Sequence, residues 1–254
     1  MFTKKSKPAQ AAGRAGVGEG TARRRRGRPS GTTAQGHATR QNLYETALDL
    51  IASRGYEHTT MRDVAEAAGV SVGLLYRYFP NKRAVVLALY DELSLEHVAK
   101  ASGAPAGTWA TRFLFVLEAA IAVLRPHRRT LSAMIPVMVS AESDGLFGSE
   151  TAFSRHRVQR LFLDAVVGAK DAPRGELAPA TGRLLYLVHL AVILWWLLDR
   201  SPGQRATTAL VGLIKQTLPM AAMALRLRRV GHLVMAGDQL FDEALLLEAD
   251  SVRL

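Results

Sequence analysis

At 254 residues with 48% apolar side chains and seven scattered histidines, the chain has enough hydrophobic material for one sizeable core, or for a small domain docked on a larger one. The absence of cysteine excludes disulfides, thiolate catalysis and zinc–thiolate sites, and fits a reducing cytoplasm. The net charge of +11 is concentrated at the start: residues 1–40 hold ten Lys or Arg against Glu19 alone, a net of +9, which suggests a polyanionic partner, nucleic acid or an anionic membrane surface.

Residues 1–36 are rich in Gly, Ala, Ser, Thr, Lys and Arg and nearly lack large apolar side chains, so they read as a disordered arm unable to offset the entropy of ordering. No apolar stretch follows its basic residues, so a secretory signal is not expected. Order is expected from Ala38, where Leu43, Ala47, Leu50 and Ile51 share one face of a helix that Gly55 ends. Thr60 followed by Asp63 reads as a capped start for a helix over Met61 to Ala68. Gly69 suits the left-handed residue of a sharp turn, and Ser71 caps a third helix from Val72 to Phe79. Pro80 stops that helix and Asn81 caps a fourth, carrying Val85, Val86, Leu89, Leu93 and Val98 toward Lys100. A loop at Ser102–Gly107 marks the domain boundary.

Strand signals are scarce and helical spacing recurs, so the class is all-α: a helix-turn-helix domain over 37–100, a larger helical domain over 101–227 and an extension over 228–254. The larger domain is expected to hold helices at Thr108–Leu124, Arg128–Val139 with an interruption at Pro136, Ser149–Lys170 and Ala180–Leu198. A further helix at Pro202–Leu227 is expected to be capped by Ser201, with a final one at Asp238–Glu248. The apolar run Leu184–Leu198 is fifteen residues long and contains His189, short of the roughly 20 that span a bilayer, so it reads as a buried helix rather than a membrane span.

Two short helices joined by a Gly-containing turn, the second opening with small residues, are what a DNA-reading helix-turn-helix requires. Ser71 and Gly73 allow close approach to base edges, and Tyr76 and Arg77 project one turn further along. Lys82 and Arg83 put two cations at the positive end of a helix dipole, where a phosphate would compensate them. Thr60 is placed to offer its hydroxyl and neighbouring N–H groups to another phosphate; capping alone is the competing reading for Thr60 and Ser71, as packing alone is for Tyr76, Tyr78 and Phe79.

The segment TMRDVAEAAGVSVGLLYRYFPNK, residues 60–82, resembles the signature of the TetR (tetracycline-repressor-like) family. That resemblance implies a homodimeric transcriptional regulator, usually a repressor, on a near-palindromic operator. It places Thr60, Tyr78 and Lys82 at phosphate-contact positions and Ser71, Val72, Gly73, Tyr76 and Arg77 on the recognition helix. Arg83 departs from the pattern, where an acid is common, and is expected to add non-specific DNA affinity. In the arm, RRRRGRP at residues 23–29 is similar to an AT-hook core, with Arg26 and Arg28 as minor-groove candidates; a solvated polybasic run is the alternative.

The same resemblance implies that the last two strong helices pair with their symmetry mates through Leu194, Trp195, Leu198, Leu210, Leu213 and Ile214, with Trp195, Trp196 and Leu197 as anchors; intramolecular core is the alternative. It also implies an effector pocket, for which Phe113, Leu117, Met134, Met138, Phe153 and Phe162 are the candidates, and few buried acids point to a mostly apolar or aromatic ligand. No cofactor or metal is expected, and no catalytic motif stands out: there is no Gly-x-Ser-x-Gly, no His-Glu-x-x-His and no phosphate-cradling Gly loop. The competing functions are a DNA-binding regulator without ligand control and a non-specific polyanion or membrane-surface binder.

Overall fold

The computed structural model describes residues 34–139 and 148–245. Among them the chain is all-α, in the order α1 (Ala34–Arg54), α2 (Met61–Ala67), α3 (Val72–Tyr78), α4 (Lys82–Ala101), α5 (Trp109–Leu124), α6 (Arg128–Val139), α7 (Ala152–Val167), α8 (Leu177–Leu198), α9 (Arg205–Ala224) and α10 (Arg228–Leu245). The basic arm with Arg26 and Arg28 lies outside the described residues, except that α1 begins at Ala34, four residues before the expected start.

The first three helices pack around Leu43, Tyr44, Ile51, Val64, Leu75 and Phe79, all buried. Two glycines set the corners, Gly55 with φ +90° after α1 and Gly69 with φ +68° between α2 and α3; both conformations strain any residue bearing a Cβ. The next helix is shared. Val85, Val86 and Leu89 of α4 join this core, while Leu93, His97 and Ala101 further along are buried among the C-terminal helices, and a single hydrophobic cluster runs through both. Two further contacts fix the joint: Tyr44 of α1 donates to Glu92 of α4 at 2.5 Å, and α1 packs against α6.

In the C-terminal part α7 lies between α4, α5 and α8. Gly182 permits the α7–α8 approach, because a methyl group there would sit 2.8 Å from the Cα of Leu163. By length and composition α8 could cross a membrane, yet half of that stretch is buried in protein and it packs against α7 and α10. A bidentate ion pair, Arg183 Nε to Asp238 Oδ1 at 2.7 Å and Nη2 to Oδ2 at 2.5 Å, pins α10 to α8 beside the buried Phe241.

Several expectations are corrected. Pro136 does not interrupt α6: its ring faces solvent, so the helix loses one rung without a clash against packed neighbours. The expected helix from Pro202 opens instead as a short 3-10 turn, with Gly203 and Gln204 both at φ near +60°, and α9 starts at Arg205. Ser201 does cap it, its Oγ accepting from the Ala206 N–H at 3.0 Å, and Asp199 joins it in organising that start. Its carboxylate accepts from the N–H and hydroxyl of Ser201 and from the N–H and hydroxyl of Thr207, all within 2.9 Å, and these hydrogen bonds hold it well below the usual carboxylate range. The last helix begins at Arg228 rather than Asp238, and α9 bends by 112° into it. Trp196 and Leu197 are core residues, 0% and 6% exposed, rather than anchors for a partner; the Trp196 indole N–H donates to Gln204 at 2.9 Å.

One polar feature sits in the centre of this core. His97 of α4 and His189 of α8 lie 5.9 Å apart, His97 Nε2 hydrogen-bonds the Val116 carbonyl at 2.9 Å, and Phe162 lies 4.7 Å from the His189 ring. Burial, then the neighbouring His97, pushes His189 down to about 3, so it is neutral at ordinary pH.

Two predictions follow from this packing. Trp196→Ala should lower unfolding stability by about 3–5 kcal/mol in urea melts, since the indole is fully buried and the turn it holds cannot collapse onto the void. Acidification should destabilise the chain as pH falls from roughly 6.5 toward 3, because across that window the unfolded state takes up a proton at His189 that the folded state refuses. Stability measured against pH should lose part of that slope in His189→Leu.

Candidate nucleic-acid interface and regulatory interior

The helix-turn-helix is built from capped short helices. Thr60 and Asp63 form a reciprocal capping box, with the Asp63 N–H to Thr60 Oγ1 at 3.2 Å and the Thr60 N–H to Asp63 Oδ2 at 2.8 Å. The Thr60 hydroxyl also donates to Asp63 at 2.7 Å, so within the free chain the capping role is the one it performs, and these bonds lower the Asp63 pKa. What the start of α2 offers a phosphate is its first-turn backbone N–H groups, which have no intrahelical acceptor. Ser71 caps α3 through the Leu74 N–H at 3.2 Å, and Asn81 caps α4 through the Ala84 N–H at 2.8 Å.

At 100° per residue, Val72, Gly73, Tyr76 and Arg77 fall on one arc of α3, with Ser71 at its N-terminal edge, and Leu74, Leu75 and Tyr78 fall on the opposite arc. Burial divides along the same line. The first five are exposed, Tyr76 at 49%, whereas Leu75 is fully buried and Leu74 and Tyr78 are half-buried. No atom comes within 4 Å of where a Cβ on Gly73 would be, so the first turn of α3 presents bare backbone to solvent. Arg40 of α1 stacks 5.0 Å above the ring of Phe79 and fixes the end of α3 to the first helix.

The two cations opening α4 already have partners. The Lys82 ammonium donates to the Tyr56 carbonyl and lies 4.0 Å over the Tyr56 ring, with its pKa lowered by desolvation. Arg83 pairs with Glu150 at 2.5 Å, an acid just ahead of α7 and 67 positions along the chain. The sequence reading gave Arg83 to DNA; its anion is supplied by the C-terminal part of the same chain. A second pair, Arg157 of α7 to Asp91 of α4 at 2.8 Å, adds to it.

The structure disperses the six residues expected to line an effector pocket. Phe113, Leu117, Met134 and Phe162 are fully buried core, Met138 is half-buried, and Phe153 is 73% exposed beneath the Arg157 guanidinium, on the surface rather than in any pocket. An open cleft of about 1080 Å³ lies elsewhere, between the ends of α5 and α8 and the starts of α6 and α9. Its walls include Glu118, Arg125, Arg128, Trp196 and Gln204, and none of the six belongs to it. Arg128 donates to the Trp196 and Asp199 carbonyls there, at 3.0 and 2.6 Å, closing the free end of α8. Among the described residues no group of three His, Asp or Glu is placed to hold a metal ion.

Of the residues expected at a dimer interface, Leu194, Trp195, Leu198 and Leu213 are exposed, and Leu210 and Ile214 are half-buried. Helix α9 is thinly covered overall. Of its 20 residues only Thr207 and Leu218 are buried, while Met220 and Met223, unremarked in the sequence, are 71% and 70% exposed.

Comparison with known proteins agrees with this geometry. Residues 43–89 match the family described as bacterial regulatory proteins, tetR family. The chain is 31% identical over 111 residues to the HTH-type transcriptional regulator AcrR of Shigella flexneri, covering 41% of this chain and 51% of that protein. It is 29% identical over 164 residues to the HTH-type transcriptional repressor KstR of Rhodococcus jostii strain RHA1, covering 64% and 74%. The chain thus spans about half the length of AcrR and more of KstR. Its fold is similar to that of the fatty acid degradation regulator FadR from Bacillus halodurans, with a TM-score of 0.57 at 20% identity over 71% of this chain and 94% of the other. Residues 43–89 of this chain thus carry the N-terminal helix-turn-helix of the bacterial regulatory proteins of the tetR family.

Proposed function

We propose that the chain is a cytoplasmic transcriptional regulator, acting as a repressor, that binds a near-palindromic DNA operator as a homodimer and is released by a small ligand held in its C-terminal domain. The observation that carries this reading is the outer arc of α3, where small, aromatic and cationic groups surround a stretch of bare backbone on a rigidly capped two-helix unit. Such a surface fits the major groove: the start of the helix approaches base edges, while Tyr76 and Arg77 supply stacking and hydrogen-bond donors. Repression is favoured by the name of KstR, a relative called a repressor. No catalytic role is assigned.

The thin cover on α9 supports the homodimer. An apolar helix with two buried residues leaves Leu213, Met220 and Met223 in water, and pairing with its symmetry mate through α8 and α9 would bury them together with Trp195 and Leu198. The two reading heads would then contact half-sites about one helical turn apart. A ligand favouring one spacing of the heads weakens operator binding by its differential affinity for the two states. The basic arm, with Arg26 and Arg28, adds affinity through phosphates or the adjacent minor groove. A regulator without ligand control is favoured by one observation, the close packing of Phe113, Leu117, Met134 and Phe162 in the C-terminal core.

Selection from random duplexes at physiological salt should enrich a palindromic motif with the intact chain. Tyr76→Ala should weaken binding to that motif about 10- to 100-fold. Removing residues 1–36 should preserve the motif while reducing the salt dependence of affinity. Enrichment of no motif by any of the three would refute the regulator. Leu213→Glu combined with Met220→Glu should sediment as a monomer and lose operator binding while α3 remains unaltered; a dimer that persists would place the interface elsewhere.

A further inference from the structure

Where the inner faces of α4, α7 and α8 meet, buried polar groups are set among aromatic rings. Tyr90 and His97 are seven positions apart on α4 and share a face; Gln159 and Phe162 do so on α7, as do Tyr186 and His189 on α8. Ring contacts join the three helices at this point: Phe162 lies 4.7 Å from His189 and 6.2 Å from both Tyr186 and His97, and Tyr186 lies 6.1 Å from His189. Three polar atoms in this setting, Tyr90 Oη, Gln159 Nε2 and His189 Nδ1, are sealed from solvent and have no hydrogen-bond partner. The His189 side chain is only 5% exposed. Leaving even one such atom unpaired is destabilising, and native interiors pair nearly all of them. Three on neighbouring faces of three helices mark a place where a partner is missing.

The chemistry of the three atoms identifies that partner. Gln159 Nε2 can only donate, the Tyr90 hydroxyl is able to donate, and His189 Nδ1 does either according to its tautomer. Arg155, one turn before Gln159 on the same helix, is buried with its guanidinium donating to the Gly148 carbonyl, and it adds a positive field beside Tyr186. Around these donors the walls are aromatic: Phe113, Phe162 and Tyr186.

We propose that Tyr90, Gln159 and His189 form the head-group site of the effector, and that the effector is a small organic molecule presenting a carbonyl or carboxylate oxygen on an aromatic or otherwise apolar skeleton. This rests on ligand control of the regulator and specifies its chemistry: the body of the ligand is apolar, as the composition of these helices implied, but its orientation is fixed by an oxygen-bearing head. The site borders the joint with the reading head, since Tyr90 stands two turns beyond Arg83 on α4 and Gln159 two turns beyond Ala152, the first residue of α7, near the Glu150 that Arg83 holds.

The test uses the full chain and the variants Tyr90→Phe, Gln159→Met and His189→Leu. Benzoate and decanoate serve as ionised probes, acetophenone as a neutral carbonyl probe and toluene as the control without an acceptor. Calorimetric titration should show an acceptor-bearing probe binding the wild-type chain, with benzoate or decanoate against acetophenone separating a carboxylate from a carbonyl head. Tyr90→Phe and Gln159→Met should each weaken that binding by about tenfold or more. Without ligand, both variants should melt at or above the wild-type temperature, because each removes a buried group that has no partner. Equal affinity in the variants would overturn the assignment, as would binding of no probe. Binding of toluene alone would leave ligand control standing and remove the head-group site. Lower melting temperatures in the ligand-free variants would show the three groups bonded to ordered water only, and would also overturn it. Operator binding by the ligand-free wild-type chain, measured alongside, reports separately on the regulator reading.

Discussion

Helix α4 belongs to two cores at once, and the rest of the molecule is arranged around that fact. Its first turns carry Val85, Val86 and Leu89 into the helix-turn-helix, and its later turns carry Leu93, His97 and Ala101 into the C-terminal bundle. Interiors packed this closely cannot slide past one another by fractions of a side chain; they switch between arrangements. In the proposed regulator, a displacement of α7 or α8 against the His97 end of α4 would carry along the helix to its Lys82 end, and α3 would follow through Phe79 and the cap at Asn81. The contacts flanking α4 favour this transmission. Tyr44–Glu92 fastens it to α1, while Arg83–Glu150 and Asp91–Arg157 fasten it to the start of α7.

Those flanking ion pairs also reassign charge. At the sequence level, two adjacent cations at the positive end of a helix dipole call for an external anion. Within the fold, Lys82 is satisfied by a carbonyl and an aromatic face, and Arg83 by a carboxylate from the C-terminal part. For Lys82 to reach a phosphate it must leave Tyr56, so its contribution to DNA affinity is the difference between two good environments rather than the whole of one. Arg83 is paired with Glu150 and so couples the two parts of the chain. The electrostatic pull on DNA then falls mainly to Arg77 and to the arm, where nine cations face a single acid.

How legible each part was in the sequence follows from the range of the interactions that specify it. The helix-turn-helix is written in local signals: a capping box three residues wide, a left-handed glycine at position 69, a serine two residues later, a proline that ends α3. Each acts within one turn of chain, so α2, α3 and the start of α4 were readable to within a residue or so, as was the exposed arc of α3. The C-terminal domain depends on contacts tens of residues apart. Nothing local distinguishes Trp195, half-exposed, from Trp196, fully buried; the difference lies in Arg128 and Gln204, which reach Trp196 from other elements. Asp199 and Ser201 are both plausible caps, and only the fold shows that the aspartate gathers four donors. Core and pocket are equally apolar in composition, so nothing local separates Phe113 and Phe162, which are buried, from Phe153, which lies on the surface. The Arg83–Glu150 pair had no sequence signal at all.

Polar groups in the two halves of the chain obey different rules. Around the reading head the capping residues are satisfied internally: Thr60 with Asp63, Ser71 with Leu74, Asn81 with Ala84. A surface that must meet DNA in one geometry gains from that rigidity, since the shape of α3 is settled before the encounter. The interior of the bundle does the reverse. Tyr90, Gln159 and His189 spend stability by staying buried and unpaired, in a region where leucine or phenylalanine would pack at no such cost. Local rules are broken in proteins mostly where function requires it. A satisfied outer face and an interior with unpaired polar groups, joined by one shared helix, are what the proposed switch requires: a fixed output surface, an input whose filling releases free energy, and a stiff connection between them.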